Sequence, residues 1–219
     1  MDLREEAKAV QRDILVALTK AGSGHPGGSL SAVEILLVLY HRVMRHDPQN
    51  PWWPERDRFI LSKGHAVPAL YAVLARLGYF SREEFLNNLR KPGTPFQGHP
   101  HYRSLPGIEA STGSLGQGFS IAVGKALALR LDKNPAKVFV LLGDGELQEG
   151  QVWEAAASAA HYKLGNLIAI LDQNEYQIEG ACRDILNMEP VLDKFRAFGW
   201  EVTEVDGHDI DALTEVLTW

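Results

Sequence analysis

Residues 138–174 read VFVLLGDGELQEGQVWEAAASAAHYKLGNLIAILDQN and carry the clearest structural pattern in the chain. Two apolar runs, residues 138–142 and 167–171, flank a segment with the character of a helix. A strand, a crossover helix and a second strand form the unit from which parallel sheets are built. The pattern therefore predicts a parallel βαβ unit at the centre of the protein.

Oxygen-bearing side chains follow both predicted strands, at the edge where open parallel sheets bind ligands. Asp144 follows the first strand and Asn174 follows the second, and carboxylate and amide oxygens suit Mg²⁺. Gly143 and Gly145 would let the backbone approach a ligand closely, and a helix starting near Glu149 would direct its amino-terminal dipole toward an anion. These features predict a magnesium-diphosphate site. The alternative interpretation is a tight strand-to-helix turn, with Asn174 as a turn former.

Composition narrows the class of protein. The chain has 219 residues, of which 45% are hydrophobic and 23% charged, as in ordinary soluble domains. A formal net charge of −6 argues against a nucleic-acid binder and against an anionic membrane surface. Cys182 is the single cysteine, which excludes an intrachain disulfide framework. Without an apolar run of membrane-spanning length or a signal-peptide pattern, we expect a cytoplasmic protein.

The rest of the chain alternates between strand and helix patterns. Apolar spacing predicts helices over residues 3–21, 68–77, 190–198 and 210–217. Capping signals predict that two further helices start at Ser31, which has capping-box spacing to Glu34, and at Ser81. The segment TGSLGQG (112–118) opens another helix, which is predicted to run to about residue 131. Further strands are predicted over residues 58–61 and 201–205, and loops over 23–29, 46–56 and 91–113. Such alternation predicts one α/β domain over residues 1–219, with three layers and a mainly parallel sheet flanked by helices.

Three histidines lie in predicted loops beside glycines. His25 is in SGHPG, His65 in KGHA and His99 in QGHP. Histidines on loops between α/β elements are candidates for ligand binding or acid/base chemistry. No two of them have the i, i+4 spacing of helical metal ligands, so a metal site made of these three side chains is disfavoured.

Five motifs together resemble the amino-terminal domain of transketolase, which binds the diphosphate of thiamine diphosphate. In chain order they are SGHPGGSLSAVEIL, WPERDRFILSKGHAVPALYAVL, QGHP, STGSLGQGFSIAVGKAL and GDGELQEGQVWEAAASAAHYKLGNLIAILDQN. The resemblance runs from about residue 5 to the end of the chain. It implies the diphosphate-binding type of the thiamine diphosphate-binding fold.

The resemblance also implies how the cofactor is held. Asp144 and Asn174 match side-chain Mg²⁺ ligands, and the backbone carbonyl of Tyr176 matches a third ligand; Ca²⁺ or Mn²⁺ is expected to substitute for Mg²⁺. The backbone of Gly145, beside Gly143, would donate to the diphosphate, which His65 would also contact. The loop residues that match the aminopyrimidine contacts are Gly113, Ser114 and Leu115.

The implied reaction transfers a two-carbon ketol unit from a ketose phosphate to an aldose phosphate, as in the pentose phosphate pathway. His25 and His99 match histidines that face the substrate oxygens, so with His65 they form the expected catalytic set. Glu149 matches a residue that links the cofactor sites of a symmetric assembly.

Complete transketolases are considerably longer than this chain. They carry a second domain whose glutamate activates the aminopyrimidine, a third domain, and a further active-site histidine beyond the position of Trp219. We therefore expect the domain to be truncated at its carboxyl end. We also expect a split transketolase, in which a carboxyl-terminal subunit carries the pyrimidine-binding domain and completes a heterotetramer.

Three alternatives remain. The chain could belong to another thiamine enzyme, such as 1-deoxyxylulose-5-phosphate synthase or dihydroxyacetone synthase, although the pairing of SGHPG with LSKGHA favours transketolase. It could be a catalytically idle assembly subunit, which the joint presence of the three histidines, Asp144 and Asn174 disfavours. It could also be a phosphohydrolase with Asp144 as nucleophile, but such a site would need further carboxylates close by.

Overall fold

A three-stranded parallel sheet lies at the centre of the structure, a computed structural model that describes residues 2–218. Its strands are β1 (Arg58–Leu61), β2 (Val138–Gly143) and β3 (Leu167–Asp172), in the order β1-β2-β3. The register pairs Leu61 with Leu141, and Gly143 with Asp172. The predicted βαβ unit is confirmed, and all three strands end at the same edge.

Ten α-helices, a π-helical turn that continues α3 (Leu39–Val43) and a short antiparallel ribbon surround this sheet in the described part of the chain. The helices are α1 (Leu3–Ala21), α2 (Pro26–Leu30), α3 (Val33–Val38), α4 (Val67–Arg76), α5 (Arg82–Asn88), α6 (Gln117–Leu131), α7 (Gly150–His161), α8 (Cys182–Leu186), α9 (Val191–Phe198) and α10 (Ile210–Leu217). Strands β4 (Tyr176–Gln177) and β5 (Gly180–Ala181) form the ribbon. Single turns of 3-10 helix follow β1 at Gly64–Ala66 and β2 at Gly145–Gln148.

Side chains of the sheet alternate between two apolar cores. Phe139 and Leu141 of β2 belong to one core, with α1, α3, α4 and α10. Val138, Val140 and Leu142 belong to the other, with α6, α7 and α9. Because successive strand residues point to opposite faces, one buried strand supplies both layers. The three-layer α/β architecture predicted from the sequence is thus confirmed.

Two local predictions are wrong near the amino terminus. The predicted loop over residues 23–29 contains α2, since Pro26 at the first helical position favours a helix start. Ser31 does not cap the next helix, which begins at Val33 without a side-chain cap. The hydroxyl of Ser31 donates instead to Asp172 at 2.7 Å, a tertiary contact that replaces the local one.

The strand predicted over residues 201–205 is also wrong. This segment has no regular secondary structure and joins none of the described strands. Val202 packs against one core and Val205 against the other. The apolar residues that suggested a strand are therefore held by side-chain packing, and their backbone forms no strand pairing. Within residues 2–218, no helix combines the length and apolarity needed to cross a bilayer.

Candidate functional site

The loop after β3 is attached to the loop after β2 through Asp144. Its carboxylate accepts hydrogen bonds from the Gly145 N–H at 2.8 Å and from the Glu175 N–H at 2.6 Å. The side-chain oxygen of Asn174 accepts from the Tyr176 N–H at 3.1 Å. The structure therefore places Asp144 and Asn174 just after the ends of adjacent strands, with Tyr176 two residues further on, at the start of β4.

The oxygen donors at this edge fit a hard cation. They comprise one carboxylate, one amide oxygen and nearby peptide carbonyls, the donor types that Mg²⁺ accepts alongside water and phosphate oxygens. In the described part of the chain, no group of three or more His, Cys, Asp or Glu side chains could hold a metal ion by itself. A cation bound here would add peptide carbonyls, water or ligand oxygens to the carboxylate and the amide oxygen. A cavity of about 160 Å³ lies beside Asp144, Glu175 and Tyr176 and extends along Cys182 and Met188.

The thiol of Cys182 lies next to Asp144. Burial, and then the negative charge of Asp144, raise the pKa of this thiol to about 11. The thiol is therefore protonated at neutral pH, where it can donate to the carboxylate. The sequence carries no local signal for this contact, because β4, β5 and the start of α8 bring Cys182 back to the strand edge.

A buried ion pair lies beneath the loops. Lys63, which is 1% exposed, contacts Asp172 at 2.7 Å, and Ser31 donates to the same carboxylate oxygen. The sequence analysis assigned no role to Lys63 or Asp172. The sequence did offer two hints of a role: Lys63 lies two residues before His65, and Asp172 lies at the end of a predicted strand. This pair connects the ends of β1 and β3 across β2.

Glu146 holds three loops together. Its buried carboxylate accepts hydrogen bonds from the Ser62 hydroxyl, from the Gly116 N–H at 2.7 Å and from the Gly143 N–H at 3.1 Å. Burial raises the pKa of Glu146, and these hydrogen bonds oppose the shift. Glu146 thus couples the ends of β1 and β2 to the loop that precedes α6. The sequence analysis gave Glu146 no role, because a single glutamate in a predicted turn has no feature that distinguishes it from other polar turn residues.

The three histidine loops meet at the same edge. The rings of His25 and His65 have centroids 5.3 Å apart in an edge-on arrangement. A methyl group added to Gly113 would lie 2.9 Å from the His99 ring, and one added to Gly64 would lie 2.7 Å from the Gly113 nitrogen. Backbone and ring therefore pack directly together, which only glycine at residues 64 and 113 permits. The structure brings together all three histidines that the sequence analysis singled out.

The environment keeps these histidines neutral. The pKa of His65 is lowered to about 4. Burial is the largest cause, and repulsion from the charges of Lys63, His25 and His99 adds to it. Burial also lowers the pKa of His25 and His99, with a further contribution from Arg90. Nδ1 of His25 is buried and has no hydrogen-bond partner among the described residues. A neutral imidazole has one ring nitrogen that can accept a hydrogen bond and one that can donate, so these side chains can bind polar groups of a ligand.

The lowered pKa of His65 makes folding stability depend on pH. In the unfolded chain the imidazole takes up a proton as pH falls through its ordinary value of 6.5, whereas in the folded protein it stays neutral down to about 4. Its contribution is therefore fully present above pH 6.5 and is lost as pH falls toward 4. Between about pH 7.5 and about pH 5 we expect His65 to account for a loss of about 2 kcal/mol.

Urea unfolding at these two pH values tests this prediction. His65→Asn should reduce the pH-dependent loss by about 2 kcal/mol, the share of His65, whereas His161→Asn, at the exposed end of α7, should keep the whole loss. An unchanged pH dependence in His65→Asn would show that this imidazole titrates normally in the folded protein.

The remaining predicted site residues lie along the same edge. The carbonyl of Leu115 accepts a hydrogen bond from Gln151 of α7 at 3.0 Å, which fixes the loop that also contains Ser114. Glu149 immediately precedes α7; its side chain is exposed and does not cap the helix. The 3-10 turn Gly145–Gln148 separates Asp144 from α7, so this turn, rather than α7, directly follows the GDG loop.

Comparison with known proteins agrees with this geometry. The sequence model of the family described as "Transketolase, thiamine diphosphate binding domain" matches residues 4–218. The chain is 49% identical over 217 residues to the 6-deoxy-6-sulfo-D-fructose transketolase subunit SqwG of Clostridium sp. (strain MSTE9), covering 99% of the chain and 78% of that protein. It is 45% identical over 218 residues to an apulose-4-phosphate transketolase subunit of Actinobacillus succinogenes, with coverage of 99% and 78%.

Solved structures show the same fold. Transketolase from Leishmania mexicana superposes with a TM-score of 0.93 at 33% identity, covering 99% of this chain and 34% of that one. Transketolase from Campylobacter jejuni superposes with a TM-score of 0.92 at 39% identity, with coverage of 98% and 35%. The chain thus spans about a third of the length of these two solved proteins.

Proposed function

The chain belongs to the transketolase family and corresponds to its thiamine diphosphate-binding domain, and from this we propose that it acts as the amino-terminal subunit of a split transketolase. With a partner subunit it would transfer a two-carbon ketol unit from a ketose to an aldose. The observation that carries this proposal is the meeting of Asp144 and Asn174, on adjacent strand ends, with three neutral histidines at one edge.

The residues at this edge fit the cofactor. Asp144, Asn174 and the carbonyl of Tyr176 would hold Mg²⁺, or Ca²⁺ or Mn²⁺ in its place, and Mg²⁺ would hold the diphosphate. The Gly145 N–H, beside Gly143, would donate to the diphosphate, and His65 would also contact it. The loop of Gly113, Ser114 and Leu115 would lie along the aminopyrimidine. When bound, thiamine diphosphate supplies the nucleophilic carbon needed to cleave the bond next to a ketose carbonyl.

His25 and His99 would act on the substrate. Both are neutral near pH 7 because burial lowers their pKa, so each can take a proton from a sugar hydroxyl or share one with a carbonyl oxygen. Positioned proton transfer of this kind contributes about 10²- to 10⁴-fold to rates.

Relatives suggest the chemical class of the substrate. The names of two similar proteins specify 6-deoxy-6-sulfo-D-fructose and apulose 4-phosphate, sugars that carry an anionic group. We therefore propose a ketose with a terminal phosphate or sulfonate as donor, and an aldose phosphate as the usual acceptor. The pentose phosphate pathway and a cytoplasmic location remain predictions from the sequence.

The proposed partner is a carboxyl-terminal transketolase subunit with the pyrimidine-binding domain. Similar proteins named as subunits support a split arrangement, and a heterotetramer would place each cofactor between unlike chains. Glu149 is exposed next to the site, so its carboxylate is free to meet another chain. In the proposed arrangement, the partner subunit would supply the glutamate that activates the aminopyrimidine.

Reconstitution tests the function. The chain and its partner subunit, with thiamine diphosphate and Mg²⁺, should transfer a ketol unit from a ketose phosphate or a sulfonated ketose to an aldose phosphate. Either chain by itself, or the mixture with EDTA, should show no transfer. Robust turnover by the isolated chain would contradict the need for a partner. No transfer by the complete mixture with any of these donors would contradict the assignment as a ketol transferase.

A further inference from the structure

Two loops of the site would contact opposite ends of the cofactor. The pyrimidine loop (residues 113–116) would lie along the aminopyrimidine, and the metal loop (residues 143–145) carries Asp144, which would hold the cation and its diphosphate. Helix α6 and strand β2 separate these two loops along the chain. The whole cofactor can fit only if the two loops keep a fixed position relative to each other.

Glu146 joins the two loops through one buried carboxylate. Its Oε1 atom accepts a hydrogen bond from the Gly116 N–H at 2.7 Å, and its Oε2 atom accepts from the Gly143 N–H at 3.1 Å. The hydroxyl of Ser62, just after β1, also donates to Oε1. Glu146 is 2% exposed, so breaking either backbone contact would leave a buried polar group without a partner. The position of one loop therefore depends on the position of the other.

Gln151 makes a second link to the pyrimidine loop. From the first turn of α7, its side chain donates to the Leu115 carbonyl at 3.0 Å. A methyl group added to Gly116, whose φ is +83°, would lie 2.7 Å from the Cγ atom of Gln151. The loop thus packs directly on this side chain, in a conformation and a space that only glycine fits. Both links come from the segment that follows Asp144.

The contacts of Glu146 position backbone rather than balance a charge. Within residues 2–218, no lysine, arginine or histidine lies within salt-bridge distance of its carboxylate. Buried Glu109, by contrast, pairs with Arg56 and lies 3.8 Å from Lys125. Neutral donors from three separate segments satisfy Glu146, so each of its hydrogen bonds fixes one segment against another.

We propose that Glu146, together with Gln151, couples the two ends of the cofactor site, so that Mg²⁺ and diphosphate bound at the metal loop strengthen binding of the aminopyrimidine at the pyrimidine loop. This inference rests on the proposed function and deepens it, because it names two positioning residues behind the cofactor contacts. A cation on Asp144 would fix the metal loop, and Glu146 would then fix the Gly116 N–H. Coupling between two sites is reciprocal and typically changes affinity by about 5- to 150-fold.

Calorimetric titration of the reconstituted assembly tests the coupling. Two ligands are compared at saturating Mg²⁺: thiamine diphosphate, which would reach both loops, and inorganic diphosphate, which would reach only the metal loop. The Kd for diphosphate divided by the Kd for thiamine diphosphate measures what the thiamine part adds. In Glu146→Gln this ratio should fall by about 10-fold or more, because an amide has one oxygen and cannot accept from Gly116 and Gly143 on its two sides. The Kd for diphosphate itself should stay close to the wild-type value.

A second variant tests the other link. Gln151→Ala removes the hydrogen bond to Leu115 while keeping a residue that favours the helix, so the chain should fold. The same ratio should fall by about 2- to 10-fold, as expected for the loss of one neutral hydrogen bond. If Glu146→Gln does not fold, Gln151→Ala decides the question, and an unchanged ratio in it overturns the proposal.

A matched control is available at another buried glutamate. Glu34 is 7% exposed and accepts from the Gln11 side chain at 3.3 Å, and among the described residues it bonds neither of the two loops. Glu34→Gln should leave both dissociation constants unchanged. Equal weakening of both ligands in Glu146→Gln would show a general structural role and overturn the coupling, as would an unchanged ratio. If the wild-type assembly does not bind thiamine diphosphate, the proposed function fails, and the coupling fails with it.

Discussion

Asn174→Ala is expected to weaken magnesium-dependent binding of thiamine diphosphate by about 100-fold or more, since changes in the outer shell of a metal site alone cost about 10- to 100-fold. Asn174 would be one of two side-chain ligands, and alanine offers no oxygen in its place. The fold should survive, because the side chain only bonds the Tyr176 N–H and, at 3.3 Å, the Ser31 hydroxyl. Titration of thiamine diphosphate at fixed Mg²⁺, with the partner present, measures the effect.

The adjacent residue provides a matched control. Gln173 is exposed, and its side chain donates to Glu189 at 2.7 Å and contacts none of the proposed metal ligands through a hydrogen bond among the described residues. Gln173→Ala should therefore bind the cofactor like the wild type. Equal cofactor affinity in Asn174→Ala and the wild type would refute the assignment of Asn174 as a ligand.

Lys63→Met is expected to destabilise the folded chain by about 3 kcal/mol or more, because it leaves a buried carboxylate without its cation. Lys63 is 1% exposed and Asp172 is 7% exposed, so neither charge can be solvated without local opening. The Ser31 hydroxyl still donates to Asp172 in the variant, which limits the loss. Urea unfolding followed by circular dichroism measures the change in the free energy of unfolding.

A double variant separates charge from packing. Lys63→Met combined with Asp172→Asn removes both charges, so it should recover part of the stability lost in the single variant. If the double variant is no more stable than Lys63→Met alone, the loss comes from packing around Lys63. A loss well below about 1 kcal/mol in the single variant would contradict a buried ion pair of this strength.

Local sequence patterns were sufficient to predict the three strands of the sheet and several of the helices. The strands β1, β2 and β3 were predicted because uninterrupted apolar runs are typical of strands buried on both faces. Helix α5 was predicted from Ser81, whose hydroxyl accepts the Glu84 N–H at 3.2 Å. The same kind of signal failed at Ser31, where a hydroxyl with equivalent spacing found a tertiary partner. A capping pattern states which local bond is available, and packing determines which bond forms.

Local pattern also located candidates for the site. Glycine beside histidine, and an oxygen ligand after an apolar run, are features of a few neighbouring residues, so they are visible before the chain folds. Because parallel strands share one edge, the sequence could predict that Asp144 and Asn174 would lie near each other. The roles of these residues toward the cofactor remain proposals that the experiments above address.

The amino-acid sequence was thus enough to establish the parallel α/β architecture, the family resemblance and the loops that carry the histidines. It could not supply the contacts that join these loops, since Ser31 and Lys63 reach Asp172 from 141 and 109 residues away. Hydrophobic periodicity and turn preferences act over a few residues, whereas the pairing of charges across a core depends on how the layers pack. Tertiary packing therefore revealed the buried Lys63–Asp172 pair and the Glu146 junction.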